Sequence, residues 1–283
     1  MKINDVILKV KAYHKGTDQN GVPIDEATTR DKILYGDPNK ECSGIVTTCW
    51  ASTEVIRKAA KLGANLIIVH EALFWNRGDK TDWLSDNQVF LQKKQLLDET
   101  GIVVWRDHDY IHSGIPLSEG KFVDGIFYGI MKRLGWETYR IDSEFRPLNF
   151  EIPKKPLKEF AAELMEKFNI SGMKVIGDLN TEVHRFMIAE HLIGPNDNPI
   201  LARIEHGNFD TVLAMEITDF TVSEYIRDSG MLGKPRTVLA VGHFNLEEVG
   251  MEYMMEYLPG LFNHTIPCHF VQSGDAYSFI TRS

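Results

Sequence analysis

The chain has 283 residues; 31 are Lys or Arg and 40 are Asp or Glu, a formal charge of −9. With 43% hydrophobic and 25% charged residues it holds ample apolar surface for a core, which excludes intrinsic disorder as the main state. The acidic balance supplies no basic face, so nucleic acid is not an expected partner.

The run Met1-Lys2-Ile3-Asn4-Asp5 is broken by polar and charged residues, so no secretion signal is expected. The longest apolar stretches, 66–69 and 238–241, are far too short to span a bilayer, and a cytoplasmic location is the expectation. Cys42, Cys49 and Cys268 are too sparse for a disulfide framework and form no C-x-x-C. Ser52 reads as the N-cap of a helix with Val55, Ile56, Ala59, Ala60 and Leu62 on one side and Gly63 at its end. Residues 65–69 then form a continuous apolar run of the kind found in buried strands, followed directly by His70 and Glu71. A second such run at 101–105 leads into Arg106-Asp107-His108-Asp109-Tyr110-Ile111-His112. Residues 124–134 read as a helix closed by Gly135, and apolar side chains at helical spacing predict another over 155–168. Strands are expected at 173–176 and 184–189, separated by the turn at 177–180, and 195–199 reads as a loop. A third buried-strand run, 237–241, passes through Gly242 into a helix from His243 to about Tyr257.

Three predicted strands thus end in histidine-bearing segments. In open α/β sheets ligands collect beyond the carboxyl ends of the strands, where His70, Glu71, His112, His243 and Glu247 all fall. Imidazole mixed with carboxylate suits Zn, Fe or Mn, whereas Ca and Mg prefer all-oxygen sites. Five such ligands, one carboxylate bridging, would serve two divalent metal ions with three donors each and leave positions open for water or substrate. No P-loop, G-x-G-x-x-G or G-x-S-x-G appears, which removes the usual nucleotide-binding and serine-hydrolase readings.

The stretches 46–75, 103–135 and 238–258 together resemble the Nif-three-like family (NGG-one-interacting-factor type), which includes the GTP cyclohydrolase I type 2 homologues. The family's His-His pair after a strand is matched by His70-Glu71. Its His-Thr-x-x-Asp motif is matched by His108-Asp109-Tyr110-Ile111-His112, and its Gly-His-x-x-x-Glu motif by Gly242-His243-Phe244-Asn245-Leu246-Glu247. Two positions depart from the family, Glu71 for the second His and His112 for the Asp. Together they exchange an imidazole and a carboxylate and keep the set of three His and two carboxylates. The resemblance therefore implies a dinuclear site with permuted ligands. A competing alignment makes Asp107 or Asp109 the carboxylate ligand and leaves His112 behind the site.

The fold so implied is α/β, two interlocked lobes with mixed sheets (about 1–140 plus 210–283, and 141–209) with the metal site between them. The implied state is a homo-oligomer, a hexamer built from dimers. The implied activity is metal-dependent hydrolysis of a small molecule, nucleotide-like by the cyclohydrolase kinship. His108 and Glu216 are the candidates for handling protons, while a surface carboxylate is the plainer reading of Glu216. A non-catalytic metal-binding interaction or regulatory protein is the alternative. His14, His184, His191, His206 and His264 have no partner at ligand spacing and read as structural or exposed.

Overall fold

Four-residue strands with every side chain buried organise each half of this computed structural model. In chain order the elements begin with α1 (Ile3–Tyr13), β1 (Ile33–Tyr35), β2 (Ile45–Thr48), α2 (Thr53–Lys61), β3 (Leu66–Val69) and α3 (Gln88–Thr100). There follow β4 (Val103–Arg106), α4 (Asp109–Ser113), β5 (Ile115–Pro116), β6 (Phe122–Val123) and α5 (Gly125–Leu134). Next come β7 (Asn149–Pro156), α6 (Leu157–Phe168), β8 (Lys174–Gly177), β9 (Glu182–Leu192), α7 (Asn198–Gly207), β10 (Thr211–Ile217) and α8 (Val222–Met231). The chain closes with β11 (Thr237–Ala240), α9 (His243–Tyr253), α10 (Leu258–Leu261) and β12 (Cys268–Phe270). The described residues are 1–280 save Gln19, Arg77, Pro195 and Asn196, with Glu119 described by its backbone alone.

Two compact units result. The first holds Met1–Gly129 and Glu248–Ser273, the second Ile130–Glu247 and the residues from Gly274 on. The sheet of the first unit runs β1-β4-β3-β2-β12, parallel except for β1 at its edge. Helices cover both faces of such a sheet, which is why β2, β3 and β4 read as unbroken hydrophobic runs. α2 starts where Ser52 accepts the Val55 N–H (3.2 Å) and stops at Gly63, whose φ of +72° an L side chain would resist. Below the sheet, Val46, Val55, Ile56, Ile67, Val69, Leu97 and Val104 share one apolar core.

The second sheet runs β7-β9-β10-β11-β8, with β9, β10 and β11 parallel and the antiparallel β7 and β8 at its edges. Its core packs Met187, Val212 and Val238 from the strands against Ile204, Val222 and Ile226 from α7 and α8. These limits differ from the lobes drawn on the sequence. β10 and β11 hydrogen-bond into the second sheet, and of 210–283 only 248–273 joins the first unit.

Smaller differences have local causes. The expected helix at 155–168 begins two residues later because Lys155 and Pro156 still pair with Val183 and Glu182. The helix beginning at His243 ends at Tyr253, and a 3-10 turn over Met254–Glu256 leads to Tyr257. Of the loop expected at 195–199, Pro195 and Asn196 lie outside the described residues, and from Asn198 the chain is already helical with proline in its first turn. The mixed α/β class expected from the sequence is the one observed. Among the described residues no helix is long and apolar enough to cross a membrane.

Candidate metal centre

In the first unit, β3 and β4 are adjacent parallel strands, so the segments leaving their carboxyl ends lie side by side. His70 follows β3 directly, its backbone held by the Cys49 carbonyl (3.0 Å). β4 leads into α4, a short helix in which the His112 N–H donates to the His108 carbonyl (3.2 Å), so these two side chains share one face. Ring centroids are 4.3 Å apart for His70 and His108, which stack, and 5.0 Å for His112 against each of them. One nitrogen from each of the three lies within 4.8 Å of the others, a spacing that fits one shared metal ion.

Hydrogen bonds orient two of these rings. His70 Nδ1 meets the Asp107 backbone carbonyl (3.1 Å) and His112 Nδ1 meets the buried Asp124 carboxylate (2.9 Å). Both partners accept, so both Nδ1 atoms carry the proton and each Nε2 keeps its lone pair for a cation. His108 is built differently. Its Nε2 accepts from Arg30 Nη1 (2.9 Å) and its Nδ1 lies 3.3 Å from Asp109 Oδ1. Burial, followed by the charge on His70, lowers its pKa to about 3, so it is neutral near pH 7.

The two carboxylate alternatives differ: Asp109 is engaged by Arg30, whereas neither carboxyl oxygen of buried Asp107 has a hydrogen-bond partner among the described residues. Asp109 takes the backbone N–H of Arg30 (2.8 Å) and its Nε (2.8 Å). Asp107 is fully buried beside His14, 3.7 Å from its Nδ1. Burial, then the charge of Asp31, raises the Asp107 carboxyl, and burial lowers His14 to about 3. His14 is thus an interior residue rather than an exposed one. Glu71 is half-buried, its N–H on the Cys49 carbonyl (2.9 Å).

The second unit builds its own cluster at the carboxyl ends of parallel strands. Register places His191 of β9 opposite Glu216 of β10, and His191 Nδ1 meets Glu216 Oε1 at 2.7 Å. Gly242 turns the chain with φ +105° from β11 into α9, where His243 and Glu247, one turn apart, approach to 3.0 Å. His243 Nδ1 lies 3.5 Å from the other oxygen of Glu216. One donor atom each from His191, Glu216 and His243 falls within 4.8 Å of the rest. Burial alone would raise Glu216; the hydrogen bonds from His191 and His243 outweigh it and hold the carboxyl at about 2, an anion at neutral pH. The same bond raises His191.

Of the five ligands expected from the sequence, His70 and His112 come together in the first unit and His243 and Glu247 in the second. His108 and Glu216, expected as proton handlers, stand among the cluster side chains themselves. Asp124, His191 and Arg30 were missed. For His191 the available signal was the even register of two parallel strands, which makes a polar pair at the ends of β9 and β10 neighbours.

Residues 2–98, which include the His70-Glu71 pair, match the family Duf34/NIF3 (NGG1p interacting factor 3). Over those residues the chain is similar to the NIF3 family. A protein of Clostridium perfringens named GTP cyclohydrolase 1 type 2 homolog is 21% identical over 252 residues, 87% of each chain. The chain shares its fold with Staphylococcus aureus protein SA1388 at TM-score 0.68 and 16% identity, covering 99% of both chains. A Bacillus cereus protein related to NIF3 superposes at TM-score 0.69 with 12% identity, again over 99% of both.

Proposed function

We propose that this NIF3-like protein is a metal-dependent hydrolase of a small molecule, with one divalent cation (Zn, Fe or Mn) at each histidine cluster. The observation that carries the reading is the paired orientation of His70 and His112. A backbone carbonyl and a buried carboxylate set both rings to the tautomer a cation needs. A bound cation supplies Lewis acidity and lowers the pKa of its water toward neutrality. In the second unit Glu216 contributes a permanent negative charge between His191 and His243, with Glu247 beside His243. His108, tied to Arg30 and Asp109, orients the cluster rather than moving a proton. The reading also includes a homo-oligomer, a hexamer as the family resemblance implies, in the cytoplasm.

The test is metal content by mass spectrometry on full-length protein purified without chelators, beside His112→Ala and His243→Ala variants. About two ions per chain are expected, with one lost in each variant. Loaded protein is then screened for opening of the guanine ring of GTP and for hydrolysis of phosphate esters. Metal without turnover on any substrate would favour the non-catalytic interaction reading. No metal on purification or on reconstitution with Zn, Fe or Mn would refute the proposal.

A further inference from the structure

Two arginines flank the first histidine cluster, and they are used in opposite ways. The Arg106 side chain is 3% exposed and its guanidinium is spent on structure. Nε donates to the Arg30 carbonyl (2.7 Å), and Nη1 and Nη2 clamp Asp79 (3.0 and 2.6 Å). The Arg30 side chain is 53% exposed although its backbone is held on both sides, the N–H by Asp109 Oδ2 (2.8 Å) and the carbonyl by Arg106. The next residue, buried Asp31, accepts the N–H groups of His108 and Asp109 and fastens this loop to the start of α4.

The guanidinium of Arg30 is therefore a rigidly mounted group at the rim of the cluster. Nε and Nη2 hold Asp109 Oδ1 (2.8 and 2.6 Å), and Nη1 donates to His108 Nε2 (2.9 Å). A guanidinium has five N–H donors. Three are engaged; among the described residues the other two, one on each Nη, have no acceptor and belong to a half-exposed side chain. A planar pair of N–H groups matches the oxygens of a phosphate or carboxylate. Preorganisation on this scale removes the ordering cost that a free surface arginine would meet on binding.

Resting on the metal-dependent hydrolase reading, we infer that Arg30 and the His70–His108–His112 cluster form a binding site for an anionic group of the substrate, of the phosphate or carboxylate class. The guanidinium takes one oxygen pair, and His108, through the same Nη1, ties its position to the two metal-facing rings. Neutral small molecules would lack this anchor and bind more weakly than their phosphorylated or carboxylated counterparts.

Zinc-loaded full-length protein is titrated calorimetrically with inorganic phosphate, and separately with imidazole at pH 8 as a neutral metal-seeking probe. Loss of a charge-assisted contact is expected to weaken phosphate binding about 10- to 100-fold in Arg30→Gln. Arg30→Lys, which keeps the charge without the fork, should fall between. Zinc content is measured in both variants and affinities are compared at equal metal loading; imidazole affinity should change much less than phosphate affinity. Phosphate affinity of Arg30→Gln within twofold of wild type would overturn the inference. So would a parallel loss of phosphate and imidazole binding, which marks a purely structural arginine, and so would wild type that holds zinc yet binds no phosphate. Where wild type loads Fe or Mn rather than zinc the same titrations use that metal; wild type that takes up none of the three refutes the hydrolase reading instead, and this inference falls with it.

Discussion

Lys93 should reveal itself as a lysine that folds at the expense of its charge. It lies on α3 and is 2% exposed, its Nζ donating to the Leu73 carbonyl (2.7 Å). The Trp50, Phe74 and Trp75 rings surround it, with centroids at 5.1, 5.6 and 5.6 Å. Burial brings its pKa down from 10.5 to about 7. The folded chain then releases this proton near pH 7, while the unfolded chain keeps it until about pH 10.5. Between those values the unfolded state binds more protons, so stability rises with pH across the window, and the full penalty is present below it. At about 1.4 kcal/mol per pH unit, Lys93 adds about 2.5 kcal/mol of stability between pH 7.5 and 9.5. Lys93→Met keeps the apolar stem but has no proton to lose. Replacing the ammonium leaves the Leu73 carbonyl without this donor, an offset of about 1–3 kcal/mol that does not vary with pH. The assay is urea unfolding followed by tryptophan fluorescence, since Trp50 and Trp75 flank the site. Wild type should gain on the variant by about 2.5 kcal/mol over that pH interval. Parallel stability curves for the two proteins would refute the reasoning.

Two further outcomes follow from close contacts in the first unit. Asp124→Asn replaces the carboxylate that fixes His112 Nδ1 and also accepts from the Ile126 and Phe127 N–H groups (3.1 and 3.2 Å), so zinc affinity in a competition titration should drop about 10- to 100-fold; equal affinity would show that Asp124 does not orient the ring. Gly250→Ala would set a methyl 2.7 Å from the Ile126 Cα where α9 meets α5, lowering stability by about 1–3 kcal/mol in calorimetry. Gly260→Ala, with nothing within 4 Å of the added carbon, is the matched control and should stay near wild type.

The central strands were legible because a parallel strand buried on both faces must be apolar throughout. Leu66–Val69, Val103–Arg106 and Thr237–Ala240 all lie within or beside the runs picked out on the sequence. The edge strand β1 and the helices α1 and α8 were not expected from the sequence. Helix limits were readable where a cap imposes them, as at Ser52 and Gly63, and slipped where strand pairing competed, as at Lys155 and Pro156.

The site divides along the same physical line. By itself the sequence determined which residue types could bind a cation and which short spacings would hold them together. The one-turn pairs His108 with His112 and His243 with Glu247 follow from helix geometry alone. Tertiary structure decided every partnership across a long stretch of chain. It brought Asp124 to His112, Arg30 to His108 through the loop fastened by Asp31, and His191 to Glu216 through strand register. Such pairs depend on strand order and on which buried groups must find hydrogen-bond partners, and local pattern encodes neither. It also decided that β11 and His243 belong with the second sheet, because β11 satisfies its backbone between β10 and β8.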